Sequence, residues 1–234
     1  MPENSVYPAA LHKESRNPVH SFAFYDTLFG DLTLAAWSAQ GEKLDAAPWP
    51  AFREAATFQA QGQIAQACRV LRGITKEAGI ESRHLLQAWS GLRELNCPEA
   101  REGQKSLIGV LMEAAAEGEQ AGHDILAVYA DRTALYLDHS GAVTSAVGGN
   151  LDREIGAVLD AAAAILPQVG PWESKRLPPP IKGNVRLDFL TPVGLCFGEG
   201  PFAAIAGDPT AAPLVKAGAV LVERLSRLPA ATVN

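Results

Sequence analysis

Apolar positions along this chain recur first at helical spacing and later at every second residue, and the change of period comes near residue 105. Phe22, Tyr25, Leu28, Phe29, Leu32 and Ala36 recur at three and four residues. They predict one helix that begins after Asn17-Pro18, with proline in its first turn, and runs to about Trp37. Gly41 and Asp45-Ala46-Ala47-Pro48 predict a break. From Pro50 to Asn96 three further helical faces follow. The first holds Phe52, Ala55 and Ala56, the second Ile64, Ala67, Cys68, Leu71 and Ile74, and the third Leu85, Ala88, Trp89, Leu92 and Leu95, with Gly62 and Gly79 between them. Breaks this short predict antiparallel neighbours. The sixteen residues at the start read as a loose, flexible tail without the basic start and apolar run of a secretory signal. The polar stretch from Pro98 to Gly103 reads as a linker.

Beyond it, residues 107–116 fit a strand or a short helix, since Leu107 to Met112 is apolar throughout and Ala114-Ala115-Ala116 follows. Ile125 to Ala130, then Leu135 and Leu137, then Val143, Ser145 and Val147 predict an antiparallel meander. Its turns fall at Asp131-Arg132 and at His139-Ser140-Gly141. Asn150 is placed as an N-cap for an amphipathic helix carrying Leu151, Ile155, Val158, Leu159, Ala162, Ile165 and Leu166. Asp152 and Glu154 suit its positive end. Pro171 and Pro178-Pro179-Pro180 stiffen an extended crossing over 171–183. Val185, Leu187 and Phe189 alternate with Arg186 and Asp188, Thr191-Pro192 turns the chain, and Val193, Leu195 and Phe197 alternate back as a hairpin. Gly198 to Pro209 reads as a loop, and Leu214, Gly218, Leu221, Leu225 and Leu228 as a last helix. The fold class expected is α+β: an all-helical layer over 17–97 packed on a two-layer sandwich of antiparallel sheet and helices over 104–228.

Ala55, Phe58, Gly62, Ala67 and Leu71 stand at a spacing that resembles a tetratricopeptide-type helical hairpin, in which small residues let two helices approach and large ones fill the seam. Gly79 stands where that repeat favours proline. Little more than one repeat is present, so the resemblance implies a repeat-like layer and no solenoid. The order strands, helix, hairpin, helix is similar to type III secretion chaperones and, less closely, to roadblock and profilin-like modules. Two strings, ESRHLLQAW at 81–89 and LTPVGLCFGEGPF at 190–202, resemble signatures of an uncharacterised bacterial protein family. That resemblance spans most of the chain and implies no activity.

Composition narrows the classes. The 234 residues are 47% hydrophobic and 20% charged, which suits a folded core and is far from a disordered composition. The net charge of -6, spread over both halves, argues against a nucleic-acid partner. No apolar run is long enough for a membrane span. Three cysteines, Cys68, Cys97 and Cys196, form an odd and scattered set. They predict free thiols, core packing for Cys68 and Cys196, and a reducing cytoplasm.

Candidate chemistry is sparse. Gly198-Glu199-Gly200-Pro201-Phe202-Ala203 matches the dinucleotide fingerprint G-x-G-x-x-A, but it follows half of a hairpin and lacks a long crossover helix. A glycine turn at the sheet edge is preferred. Glu81-x-x-His84 is half of a metal-binding pattern without a second copy, and His84 is placed on the solvent face. Asp138-His139-Ser140 holds the residue types of a hydrolase triad, yet neighbours at a turn diverge and form no relay. Trp172 is read as a staple for the proline-rich crossing, Arg83 as solvated and Trp89 as core. If a ligand or partner is held, the residues expected to touch it are Arg83, His84, Trp89, Tyr136, Trp172 and Glu199. No catalytic residue, metal or cofactor is expected. The function expected is a non-catalytic, cytoplasmic adaptor or chaperone-like protein with a protein or peptide partner, no nucleic acid and no membrane. The alternatives are an enzyme or small-ligand sensor with a pocket between the halves, and a subunit of a homo-oligomer.

Overall fold

The computed structural model describes residues 22–98, 100, 105–115 and 122–228. The tail over 1–16, the helix start at Asn17-Pro18 and most of the linker lie outside the described residues. The first helical stripe is split. Helix α1 spans Phe22–Phe29 and α2 spans Leu34–Gln40. The break falls at Gly30, whose φ of 68° lies in the left-handed region. Thr33 then caps α2, its Oγ1 accepting from Ala36 N at 3.2 Å. Helices α3 (Trp49–Ala60), α4 (Ile64–Ile74) and α5 (Ser82–Glu94) follow the predicted faces closely. Leu34, Trp37, Trp49, Phe52, Ala55, Cys68, Leu71, Ile74, Ala88 and Leu92 close into one core between them. Glu94 ties this layer at its edge: one oxygen accepts from Leu34 N and the other from Gln59 Nε2, each at 2.9 Å.

One expectation fails here. Cys68 and Cys97 are not free thiols; they form a disulfide that joins α4 to the segment just beyond α5. Folding brings together two side chains that twenty-nine positions separate, and cysteine count alone does not register that proximity. Cys68 and Cys196 are both buried, as expected, and Cys196 remains a thiol.

Residues 109–115 are strand, not helix: β1 spans Gly109–Ala115. The meander continues as β2 (His123–Tyr129), β3 (Thr133–Leu137) and β4 (Val143–Val147). The helix α6 (Asp152–Ile165) is preceded by a short 3-10 turn over Gly149–Leu151. Asn150 therefore sits inside that turn and does not cap α6. The crossing leads to the hairpin β5 (Asn184–Thr191) and β6 (Gly194–Pro201). The loop expected from Gly198 is also corrected: β6 runs through Gly198 and Gly200, and a short helix α7 (Phe202–Gly207) precedes α8 (Ala212–Leu225). The two glycines are strand residues, so the fingerprint reading and the glycine-turn reading both lapse.

The six strands form one antiparallel sheet in the order β4-β3-β2-β1-β5-β6. One face, with Val110, Leu126, Val128, Val185, Leu187 and Phe189, packs on α6 and α8. The other, with Leu111, Ile125, Ala127, Tyr129, Leu135 and Leu137, packs on α1 and α5 through Tyr25, Leu28, Phe29 and Leu86. Helix α5 is buried on two sides. Leu86 faces the sheet, Ala88 and Leu92 face the helices, and Trp89 packs against both cores. Three polar ties fix the helical layer to the sheet. Tyr129 Oη donates to Leu28 O at 2.8 Å, Ser82 N donates to Asp131 Oδ2 at 2.7 Å, and Arg93 Nη1 donates to Pro192 O at 2.7 Å. No helix among the described residues is long and apolar enough to cross a membrane.

The α1–α2 break provides a test. A methyl group on Gly30 would stand 2.8 Å from Leu86 Cβ, whereas nothing lies within 4 Å of one on Gly79, which also has positive φ. Gly30→Ala is expected to cost about 2–4 kcal/mol, from backbone strain plus overpacking against α5, and Gly79→Ala about 1 kcal/mol from backbone alone. Denaturant midpoints of the two variants measure the difference.

Candidate functional site

Helices on both faces leave the polar positions of the central strands no route to water. On the face toward α1, register sets Glu113 opposite Arg186 and Leu111 opposite Asp188 across β1 and β5. Glu199 stands opposite Arg186, and Phe197 opposite Asp188, across β5 and β6. Glu113, Arg186 and Asp188 are 1%, 3% and 0% exposed. The alternation of Arg186 and Asp188 with apolar residues suggests a solvated face; here that face is the floor of an enclosed ion cluster.

Arg186 organises it. Nε and Nη2 donate to Glu199 Oε2 at 2.9 and 2.6 Å. Nη2 also donates to Pro178 O at 2.7 Å, and Nη1 reaches Leu177 O at 3.3 Å and Glu113 Oε1 at 3.4 Å. Arg186 thus grips the crossing by two carbonyls, and the guanidinium fork has the five N–H donors needed for this many acceptors. Asn184 Nδ2 donates to the other Glu199 oxygen at 3.0 Å. Burial works to raise the Glu199 carboxyl, but the bonds from Asn184 and Arg186 and the Arg186 charge hold it below the usual range. The crossing is fastened at a second point by Arg176. Its guanidinium lies 4.2 Å from the centre of the Phe29 ring, with Nη2 donating to Asp26 Oδ1 at 2.5 Å and Nε to Asp31 Oδ2 at 2.9 Å. Glu113 Oε2 and both Asp188 oxygens have no hydrogen-bond donor. Burial, and after it the Glu113 charge and hydrogen bond, push the Asp188 carboxyl well above its ordinary value. The neighbouring Tyr25 phenol is raised too, by burial and then by Glu113.

The residues singled out from sequence do not gather in one place. Glu199 belongs to the cluster, and Trp172 joins it through Phe197, whose ring stands 5.0 Å away in T-shaped contact. Trp172 is the expected staple: its backbone N donates to Leu195 O at 2.7 Å and its indole Nε1 to Lys175 O at 2.9 Å. Trp89 lies half-buried between the two cores. Tyr136 projects from the opposite face of the sheet, toward α6 and α8, and its phenol is pushed up to about 12 by burial and then by Asp124 and Asp138.

The solvent-face placement of His84 is wrong. Trp37, Trp49 and Phe52 surround its ring at centroid distances of 5.5, 4.9 and 5.8 Å, and the ring is 3% exposed. Burial, and secondarily the charge of half-buried Arg83, lower it to about 4. The helical face is wider than its leucines suggest, because α5 packs on two sides. The Asp138 string is turn chemistry as expected, with Asp138 Oδ1 accepting from Ser140 N, Ser140 Oγ and Ala142 N. Among the described residues no group of three or more His, Cys, Asp and Glu is placed to hold a metal.

Glu113, Arg186 and Asp188 were missed. The available signal was the unbroken apolar run around β1, which marks a strand covered on both faces and so buries the polar residues of its neighbours. Comparison with known proteins gives no match to any family, curated protein or solved structure. The chemistry of the cluster therefore rests on its own geometry: Glu113, Arg186 and Asp188 are buried, Glu199 alone is partly exposed, and the set clamps the crossing onto the sheet.

Two outcomes follow from these burials. Arg186→Met should cost about 3–5 kcal/mol by leaving buried carboxylates without their cation, read as a lower unfolding midpoint. His84 has a folded value below its ordinary 6.5, so the unfolded chain takes up its proton first. Stability is lost as pH falls from about 6.5 toward about 4, by about 3 kcal/mol in total. His84→Phe should flatten that part of the stability profile, measured by denaturant titration at each pH.

Proposed function

We propose that this protein is a non-catalytic adaptor or chaperone-like protein that takes a protein or peptide partner by strand addition at β4. The observation that carries the reading is the open edge of the sheet. Gly148 N bonds Arg132 O and Asp138 N bonds Ala142 O, so Thr144 and Ala146 face β3. The backbone groups of Val143, Ser145 and Val147 point outward, and among the described residues none of them has a hydrogen-bond partner there. The other edge is partly occupied, since Pro171 bridges to Cys196 and Trp172 bonds Leu195. Edges are ordinarily protected by charge, proline or a bulge, and Val-Thr-Ser-Ala-Val has no charge and no proline. Val147 is 75% exposed. An extended peptide added here gains main-chain hydrogen bonds without disturbing either core.

The alternative reading, an enzyme or small-ligand sensor with a site between the helical layer and the sheet, draws on the polar cluster at that junction and the raised Asp188. The burial of its atoms weighs against it. Cytoplasmic residence is a proposal on the same footing. The bonded Cys68 and Cys97 remove the cysteine argument for it, and a reducing compartment would hold the pair as thiols. Trapping of thiols in intact cells reads that state directly.

The edge is tested with two variants that spare the fold. Ser145→Pro removes an outward N–H and no ladder bond, and Val147→Lys places a charge on the rim. A partner retained by the wild-type protein from native host extract should be lost with both variants while their melting temperatures stay unchanged. Undiminished capture by both would overturn strand addition, and no retained partner at all would overturn the adaptor reading.

A further inference from the structure

The enclosed cluster contains a contradiction in its simplest ionic form. Glu113, Asp188 and Glu199 are three carboxyl groups around one guanidinium, and Arg186 spends its donors on Glu199, Glu113 Oε1 and two carbonyls of the crossing. None remains for Asp188. Two carboxylates cannot donate to each other, so Glu113 Oε2 and both Asp188 oxygens would be buried acceptors without donors. One proton resolves all but one of these, because an Asp188 hydroxyl donating to Glu113 Oε2 satisfies both groups.

We propose that Glu113 and Asp188 form a proton-binding site, holding one proton between them at neutral pH, and that this proton keeps the 169–183 crossing closed over the sheet. The coupling is spatial. The charged groups acting on Asp188 are Glu113 from β1, Arg186 from β5 and Arg176 from the crossing; around them stand Glu199 of β6 on Arg186, Asp26 of α1 and Asp31 just after α1 on Arg176, and Tyr25 of α1 beside Glu113 and Arg176. His123 stands at the far end of β2, with Nε2 3.2 Å from Pro180 O. Arg176 is held by Asp26 and Asp31, and Arg186 by Glu199, so neither arginine beside Asp188 is spare to receive a second buried anion. Once Asp188 loses its proton, neither arginine has a donor left for it, and water supplies one. Water enters by displacing the Leu177–Pro178 stretch that Arg186 now grips, which frees the crossing from α1. The burial and Glu113 contributions to the Asp188 carboxyl act in the same direction as this geometry.

Two measurements on the full chain test it. Carboxyl carbon NMR of 13C-aspartate-labelled protein, with the Asp188 signal assigned by its absence from Asp188→Asn, should show Asp188 protonated at about pH 7; a midpoint in the ordinary carboxylate range, near 4, overturns the proposal. Tryptic cleavage after Lys175 or Arg176 in native protein reads the opening of the crossing. In Asp188→Asn the amide donates permanently to Glu113, so the wild-type rate divided by the variant rate should rise between about pH 6 and about pH 9, by up to tenfold for each unit above the Asp188 midpoint. A flat ratio overturns the coupling to the crossing. Glu113→Gln is the second variant if Asp188→Asn does not fold: its amide donates to an ionised Asp188, and the same rise in ratio is expected against it.

Discussion

The structure depends on one constraint: a six-stranded sheet that is covered on both faces. A sheet with one wet face sorts its residues by simple alternation, apolar inward and polar outward. Covering the second face removes that outlet for every polar residue on the central strands. Where β1, β5 and β6 meet α1, the sequence supplies Glu113, Arg186, Asp188 and Glu199 at adjoining positions. Arg186 pairs with Glu113 and Glu199 in place, and the crossing over 169–183 closes above them. The same constraint explains why α1 and α5 are fastened by hydrogen bonds from Tyr129, Ser82 and Arg93 to specific partners. A layer laid over a polar floor gains less from hydrophobic contact there and is positioned by directional bonds.

Most of the architecture was legible because period and punctuation agree. The α3–α5 faces, the meander and the β5–β6 hairpin each combine a clean repeat with a glycine or proline break, and each forms where its pattern places it. The errors have specific physical sources. Gly30 splits a continuous stripe because the chain needs a left-handed residue to bring Leu86 close beneath α1. The run from Gly198 to Pro201 reads as loop by glycine content, yet pairing with β5 draws it into the sheet as far as Pro201. Residues 109–115 carry no periodicity that separates strand from helix, and only their two strand neighbours decide the matter.

The candidate site was the least legible part, and the reason is more than missing motifs. Motif reading weights residues near glycine, histidine and serine, and so it found Glu199 and His84 but gave them the wrong surroundings. Glu199 proved to be the outer partner of a buried arginine, and His84 an edge-on packing unit among Trp37, Trp49 and Phe52. Arg186 and Asp188 stand in the sequence only as the polar members of an alternating strand. Their meaning depends on a second layer arriving from far upstream, across the 150 positions that the Arg176–Asp26 contact spans. Pairing across such separations leaves no local trace. The Cys68–Cys97 bond is a milder case of the same limit.

The two ends of the sheet are unlike, and the difference bears on function. At β6 the crossing, Trp172, Phe197 and the ion cluster form a closed and mutually dependent set. Nothing can pair with Leu195 or Cys196 while Pro171 and Trp172 hold that edge. At β4 the last strand is short, uncharged and backed by both cores, and among the described residues its outward carbonyl and amide groups have no partner. The crossing occupies part of the β6 edge, at Leu195 and Cys196, whereas β4 carries no protective charge. The strand order separates β4 from β6 by four strands, and the two edges are linked through the sheet, through α5, and through α7 and α8, which pack on β6 and β4 respectively. Helix α5 bonds the β2–β3 turn through Ser82 and the β5–β6 turn through Arg93, and so is tied toward both ends of the sheet.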